Sequence, residues 1–269
     1  MAGIRLSVRF GYTVPVRVVS AVAVLVLGSF VVVGAAAYVP PEVGPLVDLV
    51  INDRPSIEEL RSAAAEAAVS VSRVEDPADR LRLEAIVEFL VGFGELGMGL
   101  RNEAEGSFQH AARPAEKANR LRETSDGQRV LADALNQLLE LRGTGYRILN
   151  APRARAAAFR AVELDPANPF AHIAVAAFLA SAPRVAGGDP QAALRHLQVA
   201  GSLTADRLAR FLIAVWRARV FAAPAAPAGG GGSPPAGGVV EAVEQAHAIF
   251  PRNWWLAEVA AGLGVELPE

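Results

Sequence analysis

The sequence contains no cysteine among its 269 residues. This absence excludes disulfide bonds, thiolate metal ligands, a cysteine nucleophile and a lipid attached to an N-terminal cysteine. Aromatic residues make up only 6% of the chain and charged residues only 20%, whereas 52% of the residues are apolar. A chain this long and this apolar can bury a substantial core, so the composition excludes a disordered tail or linker protein.

The chain also lacks an excess of basic residues, since its 26 lysines and arginines are outnumbered by 28 acidic residues. Three of the arginines lie in residues 1–40, which contain no acid, so the rest of the chain is more acidic than the total suggests. A protein that binds nucleic acid needs a clustered basic surface to displace the counterions of the phosphates. The sequence therefore predicts no nucleic-acid partner.

Residues 18–39 form an uncharged apolar run of 22 residues, preceded by a basic segment over residues 1–17. At about 1.5 Å per residue, a helix of this length spans the roughly 30 Å hydrocarbon layer of a bilayer. The run is interpreted as a membrane anchor, and the arginines before it place the N-terminus in the cytoplasm and the body outside, in the periplasm. A cleaved signal peptide is the alternative, because residues 35–37 are three alanines, and the body would then be secreted.

The body is predicted to be all-α. Prolines at positions 40, 41 and 45 end the apolar run, and residues 40–55 are expected to form a short tether before a helical domain over residues 56–269. Ser56 and Glu59 form a capping box, and Asp76 precedes a proline at the first position of the next helix. Further helices are predicted over roughly 114–123, 127–142, 151–163, 169–182, 190–201, 204–222 and 238–249. Residues 224–238 contain only proline, glycine, alanine and serine, which predicts a flexible loop.

Small residues recur at a fixed spacing along these helices. Ala154, Ala158 and Ala161 lie on one face of a helix that Pro166 ends, and residues 193–200 and 239–251 repeat much of this pattern. The pattern resembles the second helix of the tetratricopeptide repeat, and residues 161–169 are similar to the junction between two such repeats. The resemblance implies an array of helical hairpins with an extended surface for binding proteins.

The segment 181–191 has a more distinctive sequence than the recurring small residues. Two glycines precede Asp189, which can cap a helix that begins at Pro190. It resembles a loop of the T component of the tetratricopeptide-associated TRAP transporters. That resemblance implies an extracytoplasmic helical protein that works with the substrate-binding component of a transporter. Members of that family are typically anchored through a lipidated cysteine, which this chain lacks.

No motif in the sequence indicates an enzyme, a cofactor or a metal site. The four histidines are scattered without the spacing of metal ligands, and each is interpreted as a surface or packing residue. Glu88 and Glu95 lie seven residues apart on one helix face, where paired carboxylates can perform acid–base chemistry. We interpret them instead as solvated or capping residues.

An apolar groove is the remaining candidate for a functional site. Phe170, Ile173 and Ala177 share one helix face, and Trp216, Trp254 and Trp255 add large apolar surface. Such a groove admits a segment of a protein partner, for example a transporter's substrate-binding component, or a small hydrophobic ligand. Ordinary core packing is the alternative interpretation of these residues. The functional hypothesis is a membrane-tethered binding module of a transporter, with a generic scaffold or assembly protein of the cell envelope as the alternative.

Overall fold

The computed structural model describes residues 40–52, 54–223 and 237–268, and all regular secondary structure in these ranges is helical. This part of the chain contains no strand, so the all-α prediction is confirmed. The predicted anchor over residues 18–39 and most of the predicted loop over residues 224–238 lie outside the described residues. The helices are α1 (Gly44–Asn52), α2 (Ile57–Ser72), α3 (Pro77–Gly97), α4 (Arg101–Leu121), α5 (Ser125–Leu141), α6 (Thr144–Leu164), α7 (Pro169–Ser181), α8 (Pro190–Leu203), α9 (Arg207–Ala222), α10 (Gly238–Ile249) and α11 (Trp254–Leu263).

The predicted caps determine where several helices begin. The Ser56 hydroxyl accepts a hydrogen bond from the Glu59 backbone N–H, and the Glu59 carboxylate accepts one from the Ser56 N–H, which completes the capping box. Asp76 accepts a hydrogen bond from Asp79 N at the start of α3, and Asp189 caps α8. These side chains satisfy backbone N–H groups that have no partner within the helix.

Helices α3 to α10 form four consecutive hairpins. The first helices of successive hairpins (α3, α5, α7 and α9) contact one another in chain order. The second helices (α4, α6, α8 and α10) pack against the first helix of their own hairpin, and all but α10 also pack against the first helix of the next. The first helices therefore form a continuous layer, and the second helices pack against that layer.

The recurring small residues lie where the second helices meet their neighbours. Ala154, Ala158 and Ala161 of α6 are fully buried, as are Ala193 and Ala200 of α8. Side chains this small let the backbones of adjacent helices approach closely, so the spacing has the packing cause that the sequence indicated.

The tether predicted over residues 40–55 instead contains α1, and the prediction is corrected here. Val43, Leu46 and Val50 of this segment have no exposed surface. Prolines at positions 40, 41 and 45 lie before the helix or in its first turn, where the missing N–H costs little, so they do not prevent a helix over residues 44–52.

The sequence patterns miss two further helical segments, the first part of α4 and the whole of α11. Helix α4 begins at Arg101 rather than near residue 114 and continues through Pro114. Five side chains along one stripe of α4 are buried, on both sides of the proline, and their packing stabilises the helix there. They are Ala104, Phe108, Ala111 and Ala115, which have no exposed surface, and Ala118, which is 2% exposed. Helix α11 is short, with Asn253 as its N-cap and Gly264 at a positive φ of 68° as its C-cap.

Helix α11 meets α3 and α9 in an aromatic cluster. The Phe93 ring of α3 lies 4.7 Å from the Trp254 ring and 6.1 Å from the Trp255 ring of α11, measured between centroids. Trp255 also contacts Phe211 and Trp216 of α9. Helix α11 therefore packs against the first helix of the first hairpin and the first helix of the last hairpin.

Candidate functional site

The predicted apolar groove lies inside the core. Phe170 is 1% exposed, and Ile173 and Ala177 have no exposed surface. The whole run Pro169–Leu179 of α7 is buried. These three side chains pack the layer of first helices rather than line an open groove, which corresponds to the alternative interpretation given above. Trp216, Trp254 and Trp255 are buried as well.

The most unusual buried feature is a row of polar side chains on α5, which the sequence pattern did not reveal. Arg129, Asp133, Gln137 and Glu140 follow one another at intervals of four, four and three residues, so they lie on one face of the helix. Their exposed fractions are 1%, 1%, 0% and 7%. We call these four residues the α5 polar row. Charged residues are rarely buried to this degree without a structural or functional reason.

Ion pairs connect the start of the row to its surroundings. Arg129 Nη1 lies 3.0 Å from Asp133 Oδ2, and Arg129 Nε lies 3.4 Å from Asp126 Oδ1. The amide of Asn168 donates to Asp126 Oδ1 at 3.1 Å, and its oxygen caps the first turn of α7. This arrangement joins α5 to the N-terminus of the next first helix.

The end of the row reaches across the layer. Glu140 Oε1 lies 3.6 Å from Arg219 Nη2 of α9, although α7 lies between α5 and α9 in the layer. The Arg219 guanidinium also stacks over the Trp216 ring, 4.4 Å from its centroid. The Glu140–Arg219 pair therefore joins the first helices of two hairpins that a third hairpin separates in the chain.

Burial changes the acidity of the row. It raises the pKa of Asp133 from 3.8 to about 8, even though the charge and hydrogen bond of Arg129 act in the opposite direction. Burial likewise raises the pKa of Glu140 against the charge of Arg219, and it lowers the pKa of Arg219 itself. A buried ionised group is costly because it loses its hydration.

A small cavity lies beside Glu140. Its volume is about 20 Å³, which corresponds to roughly one water molecule, and its lining includes Asn136, Arg147, Phe178 and Ser181. Both carboxylate oxygens of Glu140 are buried, and the Ser181 hydroxyl and the Arg219 guanidinium lie beside them without reaching hydrogen-bond geometry, although both act to lower the pKa of Glu140. The site therefore offers a carboxylate with spare hydrogen-bonding capacity beside a small cavity lined by both polar and apolar side chains.

The fold brings together two of the four scattered histidines. His172 Nδ1 of α7 lies 3.0 Å from His196 Nδ1 of α8, and His172 Nε2 lies 3.0 Å from the carbonyl oxygen of Pro166. When His172 Nε2–H donates to that carbonyl, His172 Nδ1 accepts the proton of His196 Nδ1. Burial lowers the pKa of His196, which favours this neutral arrangement.

The two glutamates of α3 differ in their surroundings. Glu95 is buried and accepts a hydrogen bond from the Ser107 hydroxyl at 2.7 Å, so it is not solvated as expected. Burial raises the pKa of Glu95. Glu88 is half-buried, and burial raises its pKa as well. Glu95 faces α4 through Ser107, whereas Glu88 lines a groove with Val71 and Ser72 of α2 and also feels the charge of His110 of α4.

Neither metal binding nor membrane spanning is indicated by the described residues. In these ranges, no three histidine and carboxylate side chains come together as metal ligands. None of the helices described combines the length and the apolarity that a bilayer crossing requires. No protein-family model matches the chain, and no curated protein matches it either.

Proposed function

We propose that this protein is a membrane-tethered, extracytoplasmic binding module with tetratricopeptide-like hairpins, and that it serves as an accessory component of a TRAP-type transporter. Four consecutive helical hairpins and the Asp189–Pro190 helix start support the proposal. The uncharged run over residues 18–39 would attach the chain to the membrane. The body would act by recognition and not by catalysis.

The α5 polar row carries the proposal, although the row itself is buried and a partner would reach it only through the cavity beside Glu140. In tetratricopeptide arrays the first helices line the recognition surface, and α5 is the first helix of its hairpin. Core packing alone favours apolar side chains at these positions, since a buried ion pair is often no more stable than apolar residues of similar volume. A polar group of a partner or ligand that donates a hydrogen bond to Glu140 would recover part of the cost of burying that carboxylate.

The experiment is capture of the bound partner by the full chain. The protein is purified in mild detergent from the cells that produce it, and bound proteins and small molecules are identified by mass spectrometry. We expect the substrate-binding component of a transporter, with or without a hydrophobic ligand. An envelope assembly protein in its place would support the generic scaffold instead.

A paired variant tests whether the polar row is involved. In the double variant Glu140→Leu/Arg219→Met both charges are removed together, so no unpaired charge remains buried and the fold is retained. We expect at least a tenfold loss of captured partner. The matched control is Glu123→Gln/Arg160→Met, which removes an exposed pair with an oxygen–nitrogen distance of 2.8 Å and leaves capture unchanged. Equal capture by both double variants contradicts a role for the row.

A further inference from the structure

Two histidines meet where α6, α7 and α8 come together. His172 of α7 and His196 of α8 face each other with their Nδ1 atoms 3.0 Å apart. The Phe159 ring of α6 meets the His196 ring edge-on, with 6.1 Å between the two centroids. His172 is 7% exposed and His196 is half-buried, so water reaches His196 more easily than His172. We call His172 and His196 the histidine pair.

The protons of the neutral pair have one consistent arrangement. The carbonyl oxygen of Pro166 only accepts, so His172 Nε2 carries the proton of the 3.0 Å bond between them. His172 Nδ1 is then an acceptor, and His196 Nδ1 donates to it. His196 Nε2 is therefore the only ring nitrogen of the pair that takes up a proton without changing either hydrogen bond.

This arrangement limits the number of protons that the pair can bind. After one proton is added at His196 Nε2, His196 Nδ1–H still donates to His172, and the contact is kept. A second added proton has to bind His172 Nδ1, and two N–H groups of two cations would then face each other at 3.0 Å. The contact cannot persist in that state.

We propose that the histidine pair is a pH-sensitive latch, which holds α8 against α7 and against the connection between α6 and α7, and which opens when both histidines are protonated. The latch joins three successive segments through two hydrogen bonds, from His196 to His172 and from His172 to the Pro166 carbonyl. This inference goes beyond the proposed function, because it concerns neither the α5 polar row nor a partner.

The surroundings of the pair do not stabilise a second positive charge. Arg195 is the neighbour of His196 on α8, and its Nη2 atom lies 4.0 Å from Asp189 Oδ2. On the α6 side, the Phe159 ring is uncharged, and the Arg155 guanidinium stacks over it at 4.5 Å from the centroid. Burial lowers the pKa of His196, and the charge of Arg195 acts in the same direction. Within the part of the chain that the structure describes, no carboxylate and no charged group of α9 counteracts this shift.

The sign of the pH dependence follows from these protons. In the unfolded chain each histidine takes up a proton near pH 6.5, about the ordinary pKa of the side chain. The folded pair binds fewer protons than the unfolded chain while the latch is closed. Its contribution to stability is therefore present above about pH 6.5 and is lost as the pH falls below that value.

Amide hydrogen exchange of the full chain in detergent tests the latch, with rates corrected for the intrinsic effect of pH. Between about pH 7.5 and about pH 5, the protection of α8 in wild type should fall about tenfold, whereas α3 and α4, two hairpins earlier in the chain, keep theirs. In His196→Gln the amide can donate to neutral His172 or accept from its protonated form, so α8 should be equally protected at both pH values. His110→Gln removes an exposed histidine of α4 and should behave as wild type.

Nitrogen-15 spectra of the imidazole rings provide a second measurement, which does not depend on a variant. We expect the pair to carry no more than one added proton for as long as α8 stays protected. Unchanged protection of α8 at low pH in wild type would overturn the proposal, as would two protonated rings in a chain whose α8 is still protected. An equal loss of protection in α3 and α8, or in His196→Gln and wild type, would show general acid destabilisation instead of a latch.

Discussion

At the scale of single residues, the α5 polar row shows how far the sequence can be interpreted. Asp133, Gln137 and Glu140 lie on the polar side of an amphipathic helix, and such a side is normally solvated. The sequence predicts the helix but not the burial of its polar face. That burial arises because α5 is packed against α3, α4, α6 and α7, and such contacts between distant segments leave no mark in a local pattern.

The raised pKa of Asp133 predicts a dependence of stability on pH. The native state keeps its proton up to about pH 8, whereas the unfolded chain loses it near pH 3.8. The contribution of Asp133 to stability is therefore fully present below pH 3.8 and is lost as the pH rises towards 8. Asp133→Asn cannot ionise, so its free energy of unfolding should rise relative to that of wild type between pH 4 and pH 8, from a starting value lowered by the loss of the carboxyl group that pairs with the buried Arg129.

Urea unfolding at several pH values measures this difference. We expect the free energy of unfolding of the variant, relative to that of wild type, to increase steadily from pH 4 to pH 8. Parallel curves for the two proteins across this range would show that Asp133 is already ionised in the folded state.

Gly188 provides a second prediction at a single residue. A Cβ atom at this position would overlap the carbonyl oxygen of Ala182, and the neighbouring Gly187 adopts a positive φ of 92°. Gly188→Ala should therefore lower the free energy of unfolding by about 2–4 kcal/mol, as expected for a strained turn. The loop between α7 and α8 needs this glycine for close approach of the backbone.

Gly201 of α8 is the matched control. The nearest atom to a Cβ there, Ile213 Cδ1, is 3.9 Å away, so Gly201→Ala should stabilise the protein by about 0.5–1 kcal/mol through helix propensity. Thermal unfolding followed by circular dichroism compares the two. Similar melting temperatures for both variants would be inconsistent with a close backbone approach at position 188.

At the scale of helices, the sequence predicts where most helices begin and how long some of them are. Side-chain caps at Ser56, Asp76 and Asp189 are local, so they can be recognised without the fold. The predictions for α1 and α4 are wrong because a proline in a sequence usually marks the end of a helix. Burial of the α1 side chains and of the α4 alanine stripe outweighs the cost of these prolines, and burial is not visible in a local pattern.

Pro114 in the interior of α4 should therefore reduce stability. It removes one backbone hydrogen bond within a helix of 21 residues. Pro114→Ala is expected to raise the free energy of unfolding by about 1–3 kcal/mol, measured by urea denaturation. A destabilised variant would indicate that the proline ring contributes packing that the helix needs.

At the scale of the whole molecule, contacts between the first and last helices distinguish this fold from an open array. The Asn253 amide donates to the Ile51 carbonyl at 2.6 Å, and Arg54 Nη2 lies 3.4 Å from Glu258 Oε1. Helical hairpins are present as the sequence suggested, while their tetratricopeptide type stays a prediction. Closure through α1 and α11 could not be predicted, because it depends on residues about 200 positions apart.

This closure predicts that α1 and α11 gain and lose order together. Asn253→Ala removes both the α11 cap and the bond to α1, so amide hydrogen exchange in both helices should correspond to a loss of about 1–3 kcal/mol of protection. Asn168→Ala, which removes the cap of α7, serves as the control and should leave α1 unchanged. Exchange that rises in α11 alone would show that the two helices are independent.

The central claim is that the α5 polar row contributes to recognition of a partner. The most direct measurement is the dissociation constant of the captured partner for wild type and for Glu140→Leu/Arg219→Met, determined by isothermal titration calorimetry on the full chain in detergent. We predict a dissociation constant at least tenfold higher for the variant, with an unfolding midpoint close to that of wild type. Equal dissociation constants for the two proteins would contradict the claim.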